Sequence, residues 1–366
     1  MEASPLLDVP MRSVLVPLDV DPAPAPAGSR LQALSGTAMG SNWSARMMLP
    51  AALGAAPLQR ALQAELDEIV AQMSHWDETS LLARYNRAPA GSWHDLPPQF
   101  FEVMDYALWV HAASAGAYDP AAGALVNLWG FGPVRRYDQA GFHAPAAAAV
   151  ADVLARRRDA RPQLDREQRR LYQPGGAILD LSSVAKGHAV DRMALCLERH
   201  GVRHYLVEAG GELRGAGVKG DGQPWWVELE GVPDAATPSA SPASSANGAR
   251  AQHGAVVALH GLAVATSGDY RRYYHHPGRR RASHTLDPRS GQPIANRVAS
   301  ATVLAPTCMA ADALSTTLTV LGPQAGLAFA EEHALAARFL LRAEANAGAG
   351  TGLTGITSSA WRALLQ

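Results

Sequence analysis

Cysteine is nearly missing from this sequence. Cys196 and Cys308 are the 2 cysteines in 366 residues, so at most one bridge can form. Neither a disulfide-stapled scaffold nor a thiolate zinc site is open to the chain on its own. Long apolar runs are missing too: no stretch approaches the ~18 uninterrupted apolar residues of a membrane-spanning helix. Charge of one sign is not in surplus, since Lys and Arg total 32 against 33 acids, a net charge of -1. That excludes the basic excess with which nucleic-acid binders replace phosphate counterions. Between Met1 and Arg30 there is no basic start leading into an apolar run, and no cysteine for lipid attachment. Neither a secretory nor a lipoprotein leader is therefore expected, and the cytoplasm is the expected compartment.

What is present is apolar substance: 48% of the residues are hydrophobic, enough for a large buried core. Residues 1–30, with prolines at 22, 24 and 26, read as a flexible arm. Leu31 to Met39 and Trp43 to Leu49 read as strands broken at Gly40. Leu58, Leu62, Leu66, Ile69, Val70 and Met73 recur at helical spacing. Further helices are predicted over Gln99 to Ala113, Ala146 to Arg157 and Ala185 to His200, the last stopped by Gly201. Strands follow at His204 to Val207, Glu212 to Ala216, Trp225 to Leu229, Ala255 to Leu259, Leu262 to Thr266, Ala282 to Leu286 and Val298 to Leu304. Helices at Ala310 to Leu321 and near Gln324 to His333 precede a last strand at Ala337 to Leu341. Residues 233–254 are Ala-, Ser- and Pro-rich and read as a disordered loop insertion. This order, without regular strand-helix-strand alternation, predicts an α+β fold. It forms one domain over 31–345, with 346–366 as a C-terminal tail.

Several motifs invite a chemical reading. Gly215-Ala216-Gly217-Val218-Lys219-Gly220 matches the dinucleotide glycine pattern, but that motif must open a helix. Here the chain runs on into the strand-like Trp225 to Leu229, so a turn explains the glycines. His275-His276 would face opposite sides of a strand and chelate poorly, and Arg279 to Arg281 suits a solvated hairpin tip. Asp180 to Ala189 reads as a strand, a small-residue turn and a helix start. Such a start can receive phosphate oxygens with help from Lys186, or be an ordinary capped helix. Asp312, Ser315 and Thr316 share one helix face, an oxygen set suited to magnesium. His284 and Asp287, on a strand closing into a turn, are residue types used for proton transfer. Taken singly, each motif also fits an ordinary packed or capped position.

As an ordered set, these blocks resemble the ApbE family of flavin transferases. The matching stretches are Gly36 to Gly40, Met73 to Trp76 with Ser80 and Asn86, Gly116 to Pro120, Leu128 to Gly132 and Asp180 to Gly187. Gly210-Gly211-Glu212, Thr266 to Tyr270, His284 to Gly291 and Ala311 to Thr316 complete the set. The resemblance implies an α+β, T-fold-like architecture with mixed strands and helices around one FAD cleft. It also implies the transfer of FMN from FAD, with Mg²⁺, to a Thr or Ser hydroxyl of a target flavoprotein, releasing AMP. By position, Met39, Trp76, Ala117, Tyr118, Asp119, Asp180, Lys186 and Leu286 would line the FAD site. Ser183, through its carbonyl, would join Asp312, Ser315 and Thr316 around the metal. His284 is expected to accept the hydroxyl proton, with Asp287 as its orienter or its competitor. A Mg²⁺-dependent FAD pyrophosphatase and a non-catalytic flavin binder are the alternatives. The chain departs from the family pattern at Ser182-Ser183, at Glu212, where aspartate is common, and at Ser315, where some members carry a second aspartate.

Overall fold

A computed structural model describes residues 12–17, 23–229, 231–232, 254–270, 272–276, 279–343 and 353–365. In chain order the first elements are β1 (Arg12–Leu15), β2 (Arg30–Ala38), β3 (Ser41–Leu49), α1 (Ala55–Met73), α2 (Leu81–Asn86), β4 (Ser92–Asp95) and α3 (Pro98–Ala113). Next come α4 (Gly123–Leu128), α5 (Ala147–Asp159), β5 (Gln163–Asp165), β6 (Arg170–Gln173), α6 (Ala185–Arg199), β7 (Tyr205–Ala209), β8 (Glu212–Ala216) and β9 (Trp225–Leu229). Then follow β10 (Gly254–Leu259), β11 (Leu262–Gly268), β12 (Tyr273–His276), β13 (Arg279–Ser283), β14 (Leu286–Asp287), β15 (Gln292–Pro293) and β16 (Val298–Ala305). The last are α7 (Cys308–Glu332), β17 (Ala336–Arg342), β18 (Leu353–Thr357) and α8 (Ser359–Arg362).

Eight strands build one antiparallel sheet in the order β18-β17-β16-β11-β8-β7-β3-β2. Alternation along the strands sends side chains to opposite faces. Ala263, Ala265, Ala301 and Val303 join the main core, whereas Val264 and Leu304 join a second one with Leu15, Leu229, Val257, Leu259 and Trp361. Strand β16, buried along its whole length, is thus covered on both faces. On the main face α6 lies over β7 and β8, α7 over β11 and β16, and α6 packs against both α1 and α7. The predicted spacing of α1 is realised, with Leu58, Leu62, Leu66, Ile69 and Met73 buried. A three-stranded sheet, β1-β10-β9, covers the other face.

Some expectations change. The arm is not wholly outside the fold, because Arg12–Leu15 pairs in parallel with β10 and buries Ser13 and Leu15. Nor is the tail, since β18 pairs with β17 and Trp361 is fully buried. A few apolar residues in each segment suffice to anchor it. The predicted strand Ala282 to Leu286 is two short ones, β13 and β14, parted where the Ser283 hydroxyl accepts the Thr285 amide. The two expected C-terminal helices are present: α7 is broken at Gly322, whose φ of 79° and ψ of -179° are non-helical, and Pro323 follows. At Gly217 the chain turns with φ 62°, the Lys219 amide donates to Gln223, and no helix opens before β9. Of the loop insertion expected over 233–254, residues 233–253 lie outside the described residues. Among the described residues no helix is long and apolar enough to cross a membrane.

Candidate active site at the crossing of two helices

The site begins where α6 and α7 touch. A side chain at Gly187 would place its Cβ 2.3 Å from the Cys308 carbonyl oxygen and 2.8 Å from the Asp312 Cβ, so only glycine permits this approach. The Gly187 amide donates to Asp312 Oδ2 at 3.0 Å. One turn along α6, buried Asp191 accepts the Cys308 and Met309 amides at 2.9 Å each and the Arg214 guanidinium at 2.7 Å. Those amides are orphan donors at the start of α7, so Asp191 fixes the register that aims Asp312. Thr307 completes the cap by accepting the Ala310 amide.

Around Asp312 the chemistry converges. Lys186 donates to Glu212 Oε1 at 2.5 Å, while Glu212 Oε2 is buried with no hydrogen-bond partner among the described residues. Burial and the like charge of Glu212 push the Asp312 carboxyl up to about 7, against the opposing pull of Lys186 and the Gly187 amide. The Ser315 and Thr316 hydroxyls lie 2.8 and 2.9 Å from the Ser267 hydroxyl of β11, and Ser315 donates to the Asp312 carbonyl. A buried carboxylate short of positive compensation, an orphaned carboxylate oxygen and neighbouring hydroxyls fit a hard divalent cation. Among the described residues no group of three or more His, Cys, Asp or Glu is placed to hold a metal.

A second wall descends from Asp180. Burial works to raise its pKa, but the charge and hydrogen bond of His75 and the Ser182 hydroxyl and amide outweigh that. Together they hold it well below the usual carboxylate range. His75 Nδ1 lies 3.0 Å from Asp180 Oδ1. Burial lowers the His75 pKa, yet the Asp180 charge raises it on balance. The Ser74-Ser80-Asn86 part of the motif turns out to be scaffolding. Ser80 donates to the Ser74 carbonyl and caps α2, while Asn86 exchanges hydrogen bonds with both backbone groups of Leu179, next to Asp180. Trp76 is 51% exposed, with the Arg136 guanidinium 6.0 Å from its ring centroid and the His75 ring tilted against it at 5.1 Å. The start of α6 does not offer a row of vacant amides, because Val184 and Ala185 bond the Leu181 carbonyl and Gly187 bonds Asp312.

The remaining residues lie on two loops and the β2–β3 turn. Tyr118 is buried, its hydroxyl 3.3 Å from the Ser183 hydroxyl. Burial drives its pKa far up, with smaller contributions from the charges of Asp312, Asp180 and Asp119, so the Gly116–Pro120 loop meets the helix crossing at this ring. Ala117 is also buried, and Met39 occupies the β2–β3 turn with φ 52°, followed by Gly40 at 69°. His284 and Leu286 belong to the other loop, with Leu286 packed among Trp129, Phe131 and Val150. Asp287 and His284 each have other partners. Both Asp287 oxygens are held by the Arg289 guanidinium at 2.9 Å, and His284 Nδ1 lies 3.0 Å from the Arg272 carbonyl. Adjacency along the turn favours the local carboxylate–arginine fork over a reach to the strand. Asp191 lies outside every matched stretch, while Glu212, Ser267 and His75 lie within them but gain their partners only in the fold.

The ApbE family profile matches residues 39–339. A protein of Klebsiella pneumoniae (strain 342) described as FAD:protein FMN transferase is 33% identical over 322 residues, covering 87% of each chain. One of the same description from Haemophilus influenzae is 33% identical over 344 residues, covering 92% of each. Among solved structures, the Pseudomonas stutzeri flavinyl transferase ApbE, apo form, superposes with a TM-score of 0.77 at 34% identity. It covers 92% of this chain and 97% of that one. The Vibrio cholerae flavin transferase ApbE gives the same TM-score, 0.77, at 30% identity.

Proposed function

This chain belongs to the ApbE family, and from that premise we propose that it is a transferase that moves FMN from FAD to a protein, with AMP released. The observation that carries the reading is the convergence of Lys186, Glu212, Asp312, Ser315 and Thr316 at the α6–α7 crossing, beside Asp180 and Tyr118. Asp312, with Ser315, Thr316 and the Ser183 carbonyl, would hold Mg²⁺. The bound ion supplies neutralisation of pyrophosphate charge. Lys186, held by Glu212, brings its ammonium to the same anionic group, and Trp76 offers a ring face to a flat heterocycle. A Thr or Ser hydroxyl of the acceptor attacks the FMN phosphorus and its proton passes to His284. The bond to the AMP phosphate oxygen breaks, so AMP leaves with that electron pair and a phosphoester remains. The near-zero net charge suits a site in which helix geometry, one lysine and a cation handle the phosphates.

The test is direct. The protein is incubated with FAD, Mg²⁺ and a peptide carrying one threonine, and peptide mass, in-gel flavin fluorescence and AMP are followed. Covalent FMN with stoichiometric AMP is expected. Free FMN and AMP without labelled peptide would establish hydrolysis instead, and unchanged FAD would reduce the site to binding. Activity that survived EDTA would remove the cation from the scheme.

A further inference from the structure

Helix α5 carries Val150, Leu154 and Arg157 at helical spacing on one face. Val150 and Leu154 pack beneath Leu286 and Gly291, where a Cβ at Gly291 would stand 2.7 Å from Val150 Cγ1. Arg156, its side chain 72% exposed, pairs with Asp152 on the solvent side. Arg157 turns inward, its side chain only 11% exposed. Its Nη2 donates to Asp119 Oδ2 at 2.5 Å and its Nη1 donates to the Pro288 carbonyl at 3.0 Å. Asp119 is otherwise committed to its own loop, since its Oδ1 accepts the Ala121 amide at 2.8 Å and lies 3.8 Å from His111. On the other side, Pro288 closes the turn that carries His284 and Leu286, and the Trp129 indole donates to the Gly291 carbonyl at 2.8 Å. One planar guanidinium thus joins the two loops of the cleft. A guanidinium presents donors in a fixed fork, which a single ammonium cannot reproduce at two acceptors of different direction.

We propose that Arg157 is a positioning residue for the transfer reaction. It clamps the loop bearing Ala117–Asp119 to the turn bearing His284, fixing the distance between bound FAD and the proton acceptor. The proposal rests on the reading of this cleft as the FAD site. Arg157 touches no reacting atom, and the geometry ties it to turnover more than to FAD affinity. A misplacement on the order of 1 Å costs about 100-fold in rate, so loss of the clamp falls on kcat.

The experiment measures AMP release from FAD and Mg²⁺, with a threonine peptide or water as acceptor, for wild type, Arg157→Ala and Arg157→Lys. Wild type first tests the parent reading: no AMP release overturns that reading and this inference together. Given wild-type turnover, Arg157→Ala is expected to lower kcat about 10- to 100-fold with the FAD KM changed less than about threefold. Millimolar guanidinium, which can occupy the vacated fork, restores part of the Arg157→Ala rate and none of the His284→Ala rate. Arg157→Lys keeps charge and fold but lowers kcat at least about tenfold, so it carries the test if the alanine variant does not fold. Wild-type kcat in either folded variant, or an alanine defect that guanidinium leaves untouched, overturns the inference while leaving the parent reading standing.

Discussion

The helix crossing and the His284 turn are built in opposite ways. At the crossing most polar groups are tied to protein partners: Asp191 to two amides and an arginine, Asp312 to an amide, Lys186 to Glu212, the hydroxyls to one another. The turn is held from behind, by Trp129, Arg157 and the α5 side chains, while Asp287 and Arg289 form a fork at its surface. On the proposed reading the contrast is functional. Stabilising a small, highly charged ligand rewards dipoles fixed in advance in a water-poor setting, whereas a protein acceptor would need an open approach.

The largest expected effect breaks the buried half. Asp312→Asn should lower AMP release on the order of 10²- to 10³-fold, the several kcal/mol that a cation's charge contributes to such a transition state. The sign of its pH dependence follows from burial. The folded protein raises this carboxyl from 3.8 to about 7, so its contribution to stability is present below pH 4 and is lost as pH rises through 7. Thermal midpoints of wild type relative to Asp312→Asn should therefore fall between pH 4 and 7 without Mg²⁺. Added Mg²⁺ should recover the loss above pH 7 in wild type alone. A wild-type midpoint indifferent to Mg²⁺ at pH 8 would detach the cation from Asp312.

The next effect strikes the open half. His284→Ala should slow transfer on the order of 100-fold, the range of positioned proton acceptors, with stability within about 1 kcal/mol of wild type. Stopped-flow or quenched measurements at saturating FAD check it, and an unchanged rate would remove His284 as the base. The smallest effect is expected at Asp287→Asn. Its carboxylate is engaged by Arg289, whose side chain is 42% exposed, a pair contributing less than about 1 kcal/mol, so kcat should change less than about threefold. A loss as deep as that of His284→Ala would restore Asp287 as orienter and erase the contrast between the two regions.

The helices and long strands were legible because their periodicity is local: Leu58 to Met73, the β2–β3 hairpin and the fully buried β16 all announce themselves within a short window. Strands β4, β5 and β6, of 4, 3 and 4 residues, are too short for any period to register. Trp361 and β1 escaped because a segment that looks like a tail is anchored by partners far away in sequence. The site divides in the same way. Asp180, Lys186 and Asp312 stand out as chemistry in their own motifs. Glu212, Asp191, Ser267 and Arg157 acquire meaning only from partners that folding brings in, such as Lys186, the Cys308 amide, Ser315 and Asp119. No spacing rule reaches across such separations.

The contact between Gly187 and the start of α7 has a consequence for how the protein is made. Synthesis runs from the N-terminus, and domains generally fold as units during it. The ribosome delivers Asp180, Lys186, Asp191 and Glu212 long before Cys308, Met309 and Asp312 emerge. Until then Asp191 has no helix to cap, β11 lacks its neighbour β16, and the Gly187 amide lacks its carboxylate. The helix crossing is therefore assembled last, by contacts of long sequence separation that close slowly, and on the proposed reading a nascent chain gains its activity only once Cys308 to Asp312 have emerged.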